Sequence, residues 1–296
     1  MTTDPHTLIN SEHSQPFYKG PSRTLAYNMS DFTDLTEVLH TARVAADAAA
    51  TIHCEHSGTI NPEDASSKGR ADFVSVTDFE AQKASIQIIK DAYPQHTIIS
   101  EELPDNPPFL STLEGPAWII DPLDGTTNYL HGHPMHCSSV AFSMNGLVIV
   151  GAVSCGPTGE KWWAAKSQGA WKNDKPINVS NVQKFDRSLI GTGFPFKKET
   201  LIEKYVRQLE RVLKTSGGVR RGGSAALDLC YLAEGRFDGF WELYLDPWDF
   251  AAGQLIVEEA GGFVSRIETD KLPLDAGTVL GANSQTMAQR LKNVIR

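Results

Sequence analysis

The sequence lacks paired cysteines, a long apolar run, an excess of basic charge and any internal repeat, and each absence removes a class of protein. Its four cysteines, Cys54, Cys137, Cys155 and Cys230, are scattered with no CxxC pair. In a chain of 296 residues they read as reduced, buried, small apolar side chains and not as a disulfide framework or a zinc site. No segment approaches the ~20 apolar residues that a membrane span needs. The longest apolar stretch, Leu147 to Val153, has the length of a strand. The first thirty residues have no apolar core and carry Asp4 and Glu12, so no secretory signal is visible and a cytoplasmic protein is expected. A formal net charge of −9 argues against a nucleic-acid backbone as the main partner. It suits a site built from several carboxylates around a metal ion.

What is present is ordinary for a folded protein: 41% hydrophobic and 21% charged residues. At roughly 150 residues per domain the length corresponds to one large domain or two intimate ones. Such a chain buries roughly three quarters of its unfolded surface without covalent staples. Residues 1 to about 30, punctuated by Pro5, Pro16, Gly20 and Pro21, read as a flexible extension. From Asp31 apolar residues recur at helical spacing through Ile52, with Asp34 and Glu37 as a capping signal. Thr77-Asp78-Phe79-Glu80 reads as a capping box opening a second helix, with Phe79, Ile86, Ile89 and Tyr93 on its inner face. This puts Asp78 in the first turn, where the helix dipole favours a carboxylate. Strands are expected at Phe73 to Val76, Thr97 to Ser100, Trp118 to Ile120, Lys161 to Ala165, Leu189 to Thr192 and Phe237 to Leu243. Asn145-Gly146 joins Ser138–Met144 and Leu147–Ser154 as a hairpin. Further helices are expected from about Thr200 to Lys214, from Ser224 to Ala233 after the turn Gly222-Gly223, and from Phe250 to Ala260 before Gly261-Gly262.

Acids gather at the ends of apolar runs. Ile98-Ile99-Ser100 leads into Glu101 and Glu102, Trp118-Ile119-Ile120 leads into Asp121 and Asp124, and a third apolar stretch ends at Asp246-Pro247-Trp248-Asp249. A single acid at a strand end is ordinarily solvated. Several converging acids repel too strongly to sit together without a cation, and magnesium is the common oxygen-liganded choice. Asp121 to Thr127 is the most informative stretch. Pro122 pushes Asp121 towards an extended backbone, Gly125 permits an unusual turn, and the following residues can open a helix whose free N–H groups receive a phosphate. Metal-binding acids thus stand beside anion-binding amides, as a metal-assisted phosphoryl site requires. Alone, the segment reads equally well as an acidic turn capping a helix.

Asp121-Pro-Leu-Asp-Gly-Thr-Thr-Asn128 resembles the first signature of the inositol monophosphatase family. Trp248-Asp-Phe-Ala-Ala-Gly-Gln-Leu-Ile-Val-Glu-Glu-Ala-Gly-Gly262 resembles its second. Ser100-Glu-Glu102 matches the acidic pair ahead of the first signature, and Phe73-Val-Ser-Val-Thr-Asp78 the segment at the second helix. The motifs stand in family order from about Asp31 to the C-terminus. Bacterial members are the most similar, through Tyr93-Pro-Gln-His-Thr-Ile-Ile-Ser-Glu-Glu102, Gly191-Thr-Gly-Phe-Pro-Phe-Lys197 and Gly222-Gly-Ser-Ala-Ala-Leu-Asp228.

The resemblance implies a layered α/β sandwich, αβαβα, of the sugar phosphatase type. It divides into residues 31–178, an α+β half carrying most metal ligands, and residues 179–296, an α/β half completing the site. It implies two or three Mg2+ ions: Glu101, Asp121 and the Leu123 carbonyl would hold the first, and Asp121, Asp124 and Asp249 the second. A looser third ion would share Glu101. Asp78 would orient the Thr126 hydroxyl, which accepts from the attacking water, with no covalent phospho-enzyme. The amides of Gly125 and Thr126 would grip the phosphate, beside Asp124 and Asp249. Gly223, Ser224, Ala225 and Glu242 would meet the alcohol; a site that pairs with a hydroxyl rejects analogues lacking it. The position matching a histidine of animal relatives is Asp246.

Hydrolysis of myo-inositol monophosphate or a similar polyol phosphate is the implied activity, with lithium inhibition and a homodimer. Histidinol phosphate, fructose 1,6-bisphosphate and 3′-phosphoadenosine 5′-phosphate are substrates of relatives that spacing does not separate. Some bacterial relatives associate with transcription complexes, which makes an interaction protein the rival of another class. His131, His133 and His136 read as histidines behind the ligands or on the rim of the site, and not as a zinc site. Trp162-Trp163 could stack on a ligand, but alternation along a strand would bury one and expose the other, and core or interface packing is expected. Arg220-Arg221 reads equally as solvated surface or as positive charge near the substrate or a dimer contact, and Lys197-Lys198 as a solvated loop.

Overall fold

A computed structural model describes residues 34–59, 63, 65–69 and 72–296. The expected N-terminal extension lies outside them, as do the first residues of the helical pattern at Asp31 to Thr33. In chain order the elements are α1 (Thr36–His56), β1 (Ser66–Gly69), β2 (Asp72–Val74), α2 (Val76–Ala92), β3 (Thr97–Ser100), β4 (Pro116–Asp124), α3 (Thr126–Leu130), β5 (Cys137–Met144), β6 (Leu147–Cys155), β7 (Glu160–Ala165), β8 (Ala170–Lys172) and β9 (Lys175–Ile177). There follow β10 (Leu189–Thr192), α4 (Ile202–Thr215), β11 (Gly218–Arg220), α5 (Ala225–Ala233), β12 (Gly239–Leu245), α6 (Pro247–Glu259), β13 (Phe263–Ser265), β14 (Gly277–Ala282) and α7 (Gln285–Ile295).

Apart from the β1–β2 pair, these strands form a seven-stranded sheet in the order β3-β4-β5-β6-β7-β8-β9 and a five-stranded sheet in the order β11-β10-β12-β14-β13. The large sheet is antiparallel except for β3 on β4. In the small sheet β10 runs parallel to both β11 and β12. Helices α1 and α2 cover one face of the large sheet, α5 and α6 lie between the sheets, and α4 and α7 cover the outer face of the small one. This is the expected αβαβα order.

Alternation on β4 and β7 shows why both sheet faces are apolar. Trp118 and Ile120 pack under α1 and α2, while Ala117 and Ile119 pack towards α5 and α6. The same parity corrects the expectation for the tryptophan pair. Trp162 faces the middle helices and Trp163 the outer ones, so both are buried. Two-sided burial leaves no solvent face for alternation to expose.

Two helix starts also differ from expectation. Helix α2 is boxed by Ser75 and Asp78, not by Thr77 and Glu80: the Asp78 carboxylate accepts from the Ser75 N–H at 2.8 Å and hydroxyl at 2.7 Å. Thr77 and Asp78 are buried, which turns the next residue outward, so Phe79 is exposed instead of lining the inner face. Helix α6 begins at Pro247, not Phe250, with Asp246 as N-cap. Proline is favoured at the first helical position. Asp249 therefore sits in a helical first turn and not at a strand end.

Candidate active site

Strand β4 carries two acids three residues apart, a spacing that puts them on opposite faces of a regular strand. The ladder to β5 breaks between Asp121, opposite Ser139, and Asp124, opposite Cys137. Pro122 has no N–H to give to that ladder, and proline within a sheet sits at edges or bulges. The irregularity re-aims the chain, and Asp121 and Asp124 line one cavity of about 460 Å3. Glu101 joins them from the end of β3, where its N–H bonds the Ile120 carbonyl at 3.2 Å. Asp249 enters from α6, which is tied to β5 by the Ser139 hydroxyl on the Trp248 carbonyl at 3.3 Å. Glu102 does not line the cavity.

One oxygen of each aspartate is held by the protein. Asp121 Oδ1 accepts from the Leu123 N–H at 3.0 Å. Asp124 Oδ2 accepts from the Ser224 hydroxyl at 2.6 Å and the Ala226 N–H at 2.8 Å. Asp249 Oδ2 accepts from the Asp246 N–H at 2.8 Å. Asp121 Oδ2 is buried with no hydrogen-bond partner. Burial first, then Glu101, Asp124 and Asp249, raises Asp121 well above the usual carboxylate range. Burial and Glu101 raise Asp249 in the same way, and burial pushes Asp124 up to about 6 against the bonds from Ser224 and Ala226.

Such a cluster holds more negative than positive charge, and its central member has a buried oxygen with no hydrogen-bond donor, as a metal ligand would. The donor set, all carboxylate and carbonyl oxygen, fits a hard cation such as Mg2+. Among the described residues no three His, Cys, Asp or Glu side chains are already drawn into ion-holding geometry. Closing them on one another without a cation would raise their repulsion further.

Beside the cluster, Gly125 adopts φ +91° and opens the short helix α3. A side chain on it would meet the Met135 carbonyl at 2.9 Å and the Gly223 carbonyl at 3.2 Å. The Thr126 hydroxyl lies 3.2 Å from Asp78 Oδ1 and 3.0 Å from the Leu123 carbonyl. Asp78 is thus fixed by Ser75 through one oxygen and meets Thr126 with the other. Burial pushes it up to about 6, against the Ser75 bonds. The N-termini of α2, α3, α5 and α6 all converge here, bringing Asp78, Thr126, Ser224 and Asp249.

Gly223 and Ala225 line the cavity, as does half-buried Glu242. Burial, then Asp228, Asp249 and Asp124, raises the Glu242 carboxyl well above its usual range. Ser224 departs from the expected alcohol contact. It is 2% exposed, caps α5 by accepting the Leu227 N–H at 3.3 Å, and donates to Asp124. Asn128 joins the first signature to the glycine turn, donating to the Met135 carbonyl at 2.6 Å and the Gly222 carbonyl at 3.0 Å.

The loop after β10 also departs from expectation. Lys197 is not solvated away from the site: its ammonium is 3.5 Å from Glu101 Oε1. Arg221 lines the cavity with its guanidinium 5.1 Å and 5.4 Å from the Phe194 and Phe196 ring centres, while Arg220 is exposed. Among the histidines, His131 and His133 are exposed and His136 is buried against His53 and Tyr129. Burial lowers His53 to about 3 and His136 to about 4, so both are neutral. His53 donates from Nε2 to the Pro122 carbonyl at 2.8 Å and so braces the bulge of β4 from α1.

The model of the inositol monophosphatase family matches residues 34–296. A protein of Neisseria meningitidis serogroup B called a putative Nus factor SuhB is 41% identical over 254 residues, covering 86% of this chain and 96% of its own length. The inositol-1-monophosphatase of Rhizobium meliloti is 40% identical over 240 residues, covering 81% of this chain and 88% of its own. Among solved structures, the extragenic suppressor protein suhB of Bartonella henselae superposes with a TM-score of 0.80 at 32% identity, covering 88% of this chain and 98% of that one.

Proposed function

Since the chain belongs to the inositol monophosphatase family, we propose that it is a Mg2+-dependent phosphomonoesterase of myo-inositol monophosphate or a similar small polyol phosphate. The observation that carries this reading is the contact at 3.2 Å between buried Asp78 and Thr126, with Thr126 on the wall of a cavity that Glu101, Asp121, Asp124 and Asp249 also line. Those four acids and the Leu123 carbonyl would hold two or three Mg2+ ions, with Asp121 shared. Magnesium supplies charge neutralisation of the phosphoryl oxygens and polarisation of water.

The protein's own groups do the rest. Thr126 Oγ1 has one proton and two acceptors, Asp78 and the Leu123 carbonyl, so its lone pairs are open to accept from a water in the cavity. Asp78, locked by Ser75, sets that orientation and takes up proton density through Thr126. The Gly125 and Thr126 amides, at the N-terminus of α3, face the phosphate with no intrahelical partner of their own. Glu242 accepts from a hydroxyl of the alcohol. Arg221 stands on the same wall and adds positive charge to the mouth.

The test is phosphate release from inositol 1-phosphate by purified protein with Mg2+, in parallel with histidinol phosphate, fructose 1,6-bisphosphate and 3′-phosphoadenosine 5′-phosphate. Inositol 1-phosphate is expected to give the highest kcat/KM. A better ester among the other three overturns the substrate, and full activity of Asp121→Asn overturns the mechanism. A second role in a transcription complex has support in the name of the Neisseria relative. It requires that Asp121→Asn protein still capture such partners from an extract.

A further inference from the structure

Lys197 and Lys198 both line the cavity, and their side chains meet different partners there. The turn that carries them is pinned by Phe194, Phe196 and Arg221, which line the same cavity. The Phe196 N–H bonds the Phe194 carbonyl across Pro195 at 2.8 Å, and the two rings meet edge to face at 5.5 Å under Arg221. Lys198 lies over the Tyr244 ring at 4.3 Å. Lys197 is left to reach inward, to 3.5 Å from Glu101 Oε1. Its charge also opposes the upward push on Asp121, Asp246 and Asp249. Carboxylates that crowd one cavity need a cation, and here the chain supplies one of its own.

Resting on the Mg2+-dependent reading above, we propose that Lys197 is a tethered counter-cation that occupies Glu101 in the metal-free protein and competes with the metal for it. An ammonium on a flexible stem suits this role. It is a compact charge with no fixed fork geometry, and at 45% side-chain exposure it can swing into water without crossing a packed interior. Two cations on one carboxylate repel, so the site alternates between the lysine and the ion. The coupling is reciprocal: whatever Lys197 contributes to the metal-free fold it subtracts from metal affinity.

Calorimetric titration of chelator-treated protein with Mg2+, together with melting of the metal-free form, tests this. Lys197→Met is expected to bind Mg2+ about two- to fivefold more tightly than the parent, the range of a partly exposed ion pair, and to melt lower without metal. Lys197→Arg, which keeps the charge, should stay near the parent, and Lys198→Met, which removes from the same cavity a charge that lies over Tyr244, should raise Mg2+ affinity less than Lys197→Met does. Equal or weaker Mg2+ binding by Lys197→Met, with the parent binding normally, overturns the counter-cation role alone. If the parent takes up no Mg2+, this inference falls together with the metal-dependent reading.

Discussion

A single hydroxyl proton at Thr126 faces two acceptors, and the Asp78 carboxylate is one of them. Asp78→Asn preserves shape but presents an amide that can donate to Thr126, reversing the bond and blocking a lone pair that water needs. Loss of such a proton-accepting arrangement costs about 10²–10⁴ in rate. We expect kcat to fall by that order with KM and Mg2+ affinity little changed. Because the two groups act as a unit, Asp78→Asn with Thr126→Ala should lose no more than the worse single change. Additive losses would show that Asp78 acts elsewhere. Asp78 was legible in the sequence as an acid in a first helical turn. Its partner Ser75 was not, because Thr77 and Glu80 make an equally good box and only the burial of Thr77 decides between them. Lys197 was illegible for a related reason: two adjacent lysines in a polar loop give no sign that a turn will set both on a cavity wall and one of them beside Glu101.

Elements bring these residues together by presenting ends. Helix α6 is anchored deep in the molecule while its first turn delivers Asp249, so its position across the large sheet sets one wall of the site. The close approach that fixes it is at Gly151 of β6, where a methyl would meet the Ala252 backbone at 2.8 Å. Gly151→Ala must move α6 outward, since backbone cannot rotate away as a side chain does. Overpacking of this kind costs about 1–3 kcal/mol, read as a lower denaturant midpoint. The displaced first turn should also weaken Mg2+ binding, although Gly151 touches no ligand. Lost stability with unchanged Mg2+ affinity would show that Asp249 adjusts independently of its helix. The longer strands and helices from Thr97 to Ala260 were legible because apolar runs and turn residues alternate clearly there, while the short strands β8, β9, β11 and β13, and β14 and α7 near the C-terminus, were not. The start of α6 was misplaced because Asp246-Pro247-Trp248-Asp249 reads as a strand-end loop until proline is taken as the first helical residue. The bulge in β4 had a visible cause in Pro122, but its consequence, two acids of opposite parity in one cavity, needs the partner strand to be seen.

On the scale of the whole molecule, three large apolar clusters packed through five layers surround a polar cavity whose carboxylates resist ionisation. Asp78 and Asp124 are pushed from 3.8 up to about 6, and Asp121, Asp249, Asp228 and Glu242 are raised well above their usual range, by burial first and then by neighbouring carboxylates. A raised carboxylate binds more protons in the folded than in the unfolded chain. Its stabilising contribution is present at low pH and is lost as pH rises through the folded value, here from about 4 to 6 and beyond. His53 and His136 run the other way. Lowered from 6.5 to about 3 and about 4, they favour the fold at neutral pH and oppose it as pH falls. The pH profile of the metal-free protein therefore mixes two opposite slopes, and the effect of Mg2+ separates them. The ion acts on the carboxylates and not on the two buried imidazoles, and it must displace the protons those carboxylates hold, so its binding strengthens as pH rises. The increase in melting temperature on adding saturating Mg2+ should thus be small at about pH 5 and clearly larger at about pH 7.5. Chelation should abolish the difference. Equal increments at the two pH values would mean that the ion binds away from the protonated cluster, and the ligand set proposed for it would be wrong.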